Sequence, residues 1–361
     1  MGFDFLQKAL KGSRKVAIAQ AAILALGALT ALEINNRAEA LVFAGNPNDN
    51  IVKPGTGYDG VVGLGINTNQ GVFGCSGTLL STGLHILTAA HCLTDEFGAN
   101  ITNAATVSFE LTTGTFAINV PKIFIHPEWG GFADIESFSA DIAILELASI
   151  APEAAQRYDI YRNTDEIGQV SVKVGYGYSG QGNVGFTEDF PFGTKRLGQN
   201  KYDAVGEILS SVIPVNILPG TLLAYDFDNG QPENDAFGVL GIPNLGLGLQ
   251  EVITAPGDSG GPTFIKGLIA GVTSGATCLG FDFINFKCSS PPDVDNVGNS
   301  SFGEFGFDTR VSTYASYVDD VLAGKVTPTK QIPEPNTIFG TVFALGAFGI
   351  SSRFKKKTIS M

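Results

Sequence analysis

Between residues 51 and 310 the apolar positions fall in short runs, alternating or continuous, separated by Gly, Asn, Asp and Pro. Val61 to Ile66, Thr106 to Leu111, Thr115 to Val120, Ile142 to Leu147, Val170 to Gly175 and Leu268 to Ser274 each read as a β-strand. Successive strand side chains point to opposite faces, so a strand shows apolar residues at every second position, or throughout where both faces are covered. Many such runs with turn residues between them predict an all-β sandwich or barrel. The one amphipathic helix comes last, over 312–323. Tyr314, Tyr317, Val318, Val321 and Leu322 form its apolar face, Ser312 is placed to cap it and Gly324 to end it. Residues 325–335 (KVTPTKQIPEP) read as a linker, because Pro cannot continue a helix.

The two ends follow another pattern. A basic stretch ending at Lys15 leads into an uncharged apolar run from Val16 to Leu32, and Ala38 and Ala40 flank Glu39 as an A-x-A site. Residues 1–40 therefore read as a secretory signal peptide cut after Ala40, although the run is also long enough for an uncleaved anchor. At the other end Pro333-Glu334-Pro335 precedes an uncharged stretch from Asn336 to Ser352 and then Arg353, Lys355, Lys356 and Lys357. That stretch is just long enough to span a bilayer with the basic tail on the cytoplasmic side. The order of the three parts resembles a PEP-CTERM sorting signal. The resemblance implies transient membrane insertion of 336–361 and removal of the tail by an exosortase-type transpeptidase; a permanent single-span anchor is the other reading.

Composition narrows the middle. The 361 residues carry 35 acidic and 22 basic side chains, a formal net charge of −13, and the basic residues are concentrated at the two ends. No basic stripe is left to neutralise phosphates, which argues against nucleic-acid binding. With 44% hydrophobic residues the chain is too apolar for a solvated disordered segment. Four cysteines, Cys75, Cys92, Cys278 and Cys288, all lie in the acidic middle. In an exported protein an even number suggests two disulfides, with the local pairing, Cys75 with Cys92 and Cys278 with Cys288, one of three connectivities.

Three segments carry candidate chemistry. Thr88-Ala89-Ala90-His91-Cys92 closes a strand with a His, Asp141-Ile142-Ala143-Ile144-Leu145 opens an apolar strand with a carboxylate, and Gly257-Asp258-Ser259-Gly260-Gly261-Pro262 surrounds a Ser with glycines. A Ser hydroxyl is a weak nucleophile at neutral pH and needs a base; His91 is the candidate, and Asp141 would hold its ring in the productive tautomer. His85 and His126 have no such surroundings.

TAAHC, DIAIL and GDSGGP in that order resemble the trypsin-like, chymotrypsin-fold serine proteases. Smaller matches agree: Cys75-Ser76-Gly77-Thr78-Leu79, His126-Pro127, and the helix after Thr309-Arg310-Val311. The resemblance covers roughly 51–324. It implies two antiparallel β-barrels, about 51–155 and about 156–310, followed by the helix, with His91 and Asp141 on the first barrel and Ser259 on the second. It further implies an exported serine endopeptidase acting on polypeptides through an acyl-enzyme, with an oxyanion hole from the amides of Gly257 and Ser259. A catalytically silent homologue serving as an envelope or matrix binding protein is the rival reading.

By the same correspondence Ile253 occupies the pocket floor with Thr254 beside it, and Thr273, Ser274 and Gly275 form the wall. An apolar floor argues against cleavage after Arg or Lys, unless Glu251, Glu304 or Asp308 reaches the pocket. In many family members a new N-terminus beginning Ile-Val inserts beside the Asp that precedes the nucleophile, here Asp258. Ile51-Val52 stands at a suitable distance, which makes 41–50 a short propeptide, but Lys53-Pro54 replaces Gly-Gly and Asn50 replaces a basic residue. No cofactor is expected. Asp226, Asp228, Glu233 and Asp235 offer hard oxygen ligands of the kind calcium takes, but their spacing is not that of an EF-hand, and a solvated acidic loop is the expectation.

Overall fold

The computed structural model describes residues 41–332 apart from 190, 191, 283 and 284. The expected signal peptide over 1–40, the Pro333-Glu334-Pro335 motif of the expected sorting signal and the apolar C-terminal stretch lie outside the described residues. Among the described residues no helix is long and apolar enough to cross a membrane.

Two large sheets dominate. The first has eight strands, in the order Lys330–Gln331, Lys122–Ile125, Ala143–Glu146, His85–Thr88, Gly71–Leu79, Val61–Thr68, Thr102–Leu111 and Gly114–Asn119. The second has seven, Arg196–Lys201, Val170–Gly175, Pro262–Ile265, Leu268–Cys278, Glu304–Arg310, Leu222–Asp226 and Ala204–Val205. All their pairings are antiparallel. Each of the six predicted runs is at least partly a strand. Val61–Thr68 shows why: Val61, Val62, Leu64 and Ile66 are buried while Gly65 and Asn67 face outward. The two sheets curl into the half-barrels of an all-β, chymotrypsin-like fold, and one continuous apolar core runs across both.

A third, four-stranded sheet holds the start of the described chain. Val42–Phe43 lies between Ser179–Gln181, which it pairs in parallel, and Val252–Ile253, which it pairs antiparallel. Leu41, Val42 and Phe43 are fully buried. Removal of 41–50 as a propeptide would strip a strand from this sheet and three apolar side chains from the core. Ile51 is 40% exposed and bridges Arg196.

Three corrections concern local structure. The helix spans Ala315–Leu322, and Ser312 does not cap it; its Oγ donates instead to Glu166 Oε1 at 2.7 Å. Gly324 does end it, with φ at 70°. The expected linker is tied down at Lys330–Gln331, which adds an edge strand to Lys122–Ile125. The stretch expected to be a solvated acidic loop is largely internal: Asp226, Asp228 and Asp235 are buried, and of the four acidic residues only Glu233 is exposed. Two disulfides follow the local pairing, Cys75–Cys92 and Cys278–Cys288.

Candidate active site

His91 sits in the one-turn helix Ala90–Cys92 that follows strand His85–Thr88, anchored to the neighbouring strand by the Cys75–Cys92 disulfide. Asp141 lies two residues before strand Ala143–Glu146, which pairs with His85–Thr88, so the sheet brings His91 and Asp141 together. The fit has two points. His91 Nδ1 lies 2.7 Å from Asp141 Oδ2, and the His91 backbone N–H donates to Oδ1 at 2.9 Å. Asp141 is fully buried, and the Thr309 hydroxyl donates to its carbonyl at 2.8 Å. A carboxylate held this way keeps the proton on Nδ1 and leaves Nε2 as the acceptor. Phe132 packs on the imidazole, ring centroids 5.1 Å apart, and Trp129 and Phe138 pack on Phe132.

Ser274, expected in the pocket wall, also supports the Asp141 carboxylate, because its hydroxyl donates to Asp141 Oδ2 at 2.5 Å. The local cause is a bulge. Thr273 pairs with Asp308 and Gly275 with Phe307, so Ser274 is the extra residue of its strand. A bulge bends the strand and re-aims a side chain. Sequence reasoning missed this role because nothing in a T-S-G-A run marks which residue is unpaired. Phe132 was missed as well.

Ser259 lies on the loop between strands Val252–Ile253 and Pro262–Ile265. Gly257 and Gly260 have φ of 95° and 79°, in the left-handed region that favours glycine. A Cβ on Gly260 would also meet the Ser76 carbonyl at 2.5 Å and the Ala89 nitrogen at 2.9 Å. Neighbouring chain locks the loop from outside, since Ser76 N–H donates to the Ser259 carbonyl at 2.8 Å and Ser76 Oγ to the Gly257 carbonyl at 3.0 Å. Among the described residues the amides of Gly257 and Ser259 donate to no protein acceptor, as an oxyanion hole requires.

Asp258 faces the interior and is fully buried. Its carboxylate accepts from the backbone N–H groups of Ala255 at 2.8 Å, Gly177 at 2.9 Å and Leu41 at 3.1 Å. Burial pushes its carboxyl up to about 7, against the pull of these donors and of the more distant Lys173 ammonium. Leu41 is held from its other side by Ser179, whose hydroxyl donates to its carbonyl. Leu41 is thus one of three backbone donors to Asp258, whereas Ile51 bridges Arg196.

One cavity is lined by His91, Ser259, Thr254, Ser274, Gly275 and Glu304, with Phe132, Phe186 and Phe281 adding apolar wall. Ile253 and Thr273 do not line it. Ile253 is fully buried in the core beside Val42, its pairing partner, and Thr273 is buried where its strand pairs with Asp308. Of Glu251, Glu304 and Asp308, it is Glu304 that reaches the cavity. Its Oε1 accepts from Asn299 N–H at 2.8 Å and Ser301 N–H at 2.9 Å, and burial holds its carboxyl well above the usual range. Asp308 is committed to Lys173 at 2.7 Å, and Glu251 accepts from Asp228 N–H at 3.0 Å. His85 and His126 lie outside the cavity. His85 contacts Thr82 at 2.9 Å, and His126 packs against Tyr314 and Tyr317. Burial lowers the pKa of both imidazoles.

Residues 54–202 match the family model described as Trypsin, a span that contains His91 and Asp141 and ends before Ser259. No curated protein matches the chain in sequence. Among solved structures the fold is similar to neuropsin, a serine protease expressed in the limbic system of mouse brain. The TM-score is 0.52 at 18% identity, and the match covers 76% of this chain and 98% of neuropsin. With the family match confined to 54–202 and the structural match running over most of the molecule, the fold of this chain is chymotrypsin-like.

Proposed function

We propose that the chain is an exported serine endopeptidase in which Ser259 is the nucleophile, His91 the general base and Asp141 the residue that orients the base. The observation that carries this reading is the two-point contact of His91 with a buried Asp141 in a cavity that Ser259 also lines. Ser259 would attack the scissile carbonyl as His91 Nε2 takes its proton. The tetrahedral oxyanion would be met by the amides of Gly257 and Ser259, and the imidazolium would return the proton to the leaving amine. Labelling by a fluorophosphonate probe tests the assignment: the mature protein should label, and Ser259→Ala should not. An unlabelled, correctly processed protein would support a silent homologue.

The aromatic wall favours apolar or small side chains at the cut site over Arg and Lys. Cleavage of a peptide library decides this, and dominance of Arg or Lys would overturn it.

Maturation belongs to the same proposal. Signal peptidase cutting after Ala40 would free the α-amino group of Leu41, already at hydrogen-bond distance from Asp258, so that export and assembly of the oxyanion loop become one event. The C-terminal region would hold the protein in the membrane until an exosortase-type transpeptidase removes the tail near Pro333-Glu334-Pro335. Mass spectrometry of the surface protein checks both ends: Leu41 first and no peptide ending in Met361 is the expected outcome.

A further inference from the structure

Far from the catalytic residues in sequence, the end of strand Leu222–Asp226 and the chain that follows bury a set of carboxylates. Asp226, Asp228 and Asp235 each place one carboxylate oxygen within 4.8 Å of the others. Asp228 is 1% exposed, and neither of its side-chain oxygens has a hydrogen-bond partner; Asp226 Oδ1 is likewise buried and unpartnered. The remaining oxygens are used to fix the ligands in place. Asp226 Oδ2 accepts from Phe237 N–H at 2.7 Å, and Asp235 accepts from Gly238 N–H at 2.5 Å and Asn244 N–H at 3.1 Å. Glu251 joins from the other side, accepting the Asp228 N–H at 3.0 Å and the Leu247 N–H. Asp203 lies nearby and is paired with Lys201 at 3.5 Å.

Water cannot solvate oxygens this deeply buried, and an unpaired buried carboxylate carries a large desolvation cost. Backbone donors satisfy only part of the set and leave three carboxylate oxygens, one on Asp226 and two on Asp228, without a partner. We propose that Asp226, Asp228 and Asp235 bind one hard divalent cation, calcium. The donor set is all oxygen, with no nitrogen or free thiolate that would favour zinc or copper. Magnesium keeps several of its waters, which a set this buried does not accommodate well, whereas calcium accepts carboxylates in irregular geometry. The second acidic group, Cys288, Asp293 and Glu304, differs: Cys288 is in a disulfide, and Glu304 is satisfied by backbone donors.

The position of the ion ties it to the cavity wall. Asp226 ends a strand of the second sheet, its carbonyl accepts from Asn200 Nδ2 at 2.8 Å, and the same amide group donates to the Val252 carbonyl. Glu251 precedes strand Val252–Ile253, which leads to Thr254 in the cavity wall. A bound cation would clamp the segment from Phe227 to Gln250 against the base of that wall.

The test uses the exported chain carrying Ser259→Ala, so that self-digestion does not affect the readout. After treatment with EDTA, addition of calcium chloride in large excess should raise the melting temperature by about 5 °C or more, as expected for a ligand well above its dissociation constant. Calorimetric titration of the same protein should show calcium binding. Adding Asp228→Asn should abolish the calcium-dependent rise, yet leave the melting temperature in EDTA no lower, because it removes an uncompensated buried charge. No binding and no rise in the parent, or an equal rise with Asp228→Asn, would overturn the proposal.

Discussion

The backbone nitrogen of Leu41 lies 3.1 Å from Oδ2 of Asp258, 217 residues further along the chain. In the uncut chain that nitrogen is a neutral amide, and Leu41 has a φ of 60°, in the left-handed region that non-glycine residues rarely occupy. Cutting before Leu41 abolishes that torsion and turns a neutral donor into an ammonium facing a buried carboxylate. Protein that begins at Leu41 should therefore exceed protein with one additional N-terminal residue by roughly tenfold or more in kcat/KM on the same peptide, the equivalent of about 1.4 kcal/mol in the transition state. Equal values would remove the link between the N-terminus and the oxyanion loop.

The same pair makes a pH prediction. In the uncut chain burial pushes the Asp258 carboxyl up to about 7, against an ordinary value near 3.9. Between those values the folded chain holds a proton that the unfolded chain has released, so folding stability falls as pH rises through the window, by up to about 1.4 kcal/mol per unit. An ammonium at Leu41 stabilises the ionised carboxylate and lowers its pKa, and this loss should disappear. Denaturant unfolding at about pH 4.5 and about pH 7.5, either side of most of that window, should show a decline in the uncut form that is much reduced in the mature one. Parallel profiles would refute the assignment.

Ser274 donates to the Asp141 oxygen that faces His91. A hydrogen bond to a charged group contributes about 1.5–3 kcal/mol. Ser274→Ala should lower kcat about 10- to 100-fold with KM little changed, since the residue acts through Asp141. Asp141→Asn should cost about 10,000-fold, because it inverts the tautomer preference of the imidazole. Steady-state kinetics of the two variants separates positioning from loss of the carboxylate, and a Ser274→Ala enzyme of full activity would show that the bond is dispensable.

The strands and the triad motifs could be read from the chain because their signals are local. Alternation in Val61–Thr68 is a property of eight consecutive residues, and GDSGGP announces a tight, glycine-lined turn by composition alone. What escaped was set by pairing at long range. Whether Ser274 faces a pocket or Asp141 depends on a bulge against strand Glu304–Arg310, and whether Asp226 and Asp228 are solvated depends on Glu251 and Phe237 closing over them. The Ile-Val pair at 51 had the expected sequence for Asp258, whereas Leu41 had the position, fixed by a three-stranded contact that the composition of 41–50 does not disclose.

Glu304 tests the pocket. Its Oε1 is bound to two backbone donors, and burial pushes its carboxyl well above the usual range, which works against a fixed negative charge in the cavity. Glu304→Gln should leave the preference among apolar and small residues at the cut site within about twofold, because an amide carbonyl can still accept the same N–H groups. Library profiling of the parent and the variant reads this directly. A parent that cuts after Lys or Arg, and loses that activity with Glu304→Gln, would make Glu304 the selecting acid.

Lys173 and Asp308 form a pair in the core of the second sheet, with side chains 1% and 0% exposed. Lys173 Nζ donates to both Asp308 oxygens and to Thr263 Oγ1 at 2.7 Å, and the Tyr202 hydroxyl donates to Asp308 Oδ2 at 2.6 Å. Burial lowers the Lys173 pKa while Asp308 opposes the shift, so the two charges depend on each other. Lys173→Met alone strands the carboxylate and should destabilise the fold by about 3–5 kcal/mol. Adding Asp308→Asn removes the stranded charge and should recover part of that loss, because most of the single-variant cost is an uncompensated ion rather than a missing attraction. Denaturant unfolding of the parent, both single variants and the double variant closes the cycle; purely additive losses would show that the two residues do not act as a pair.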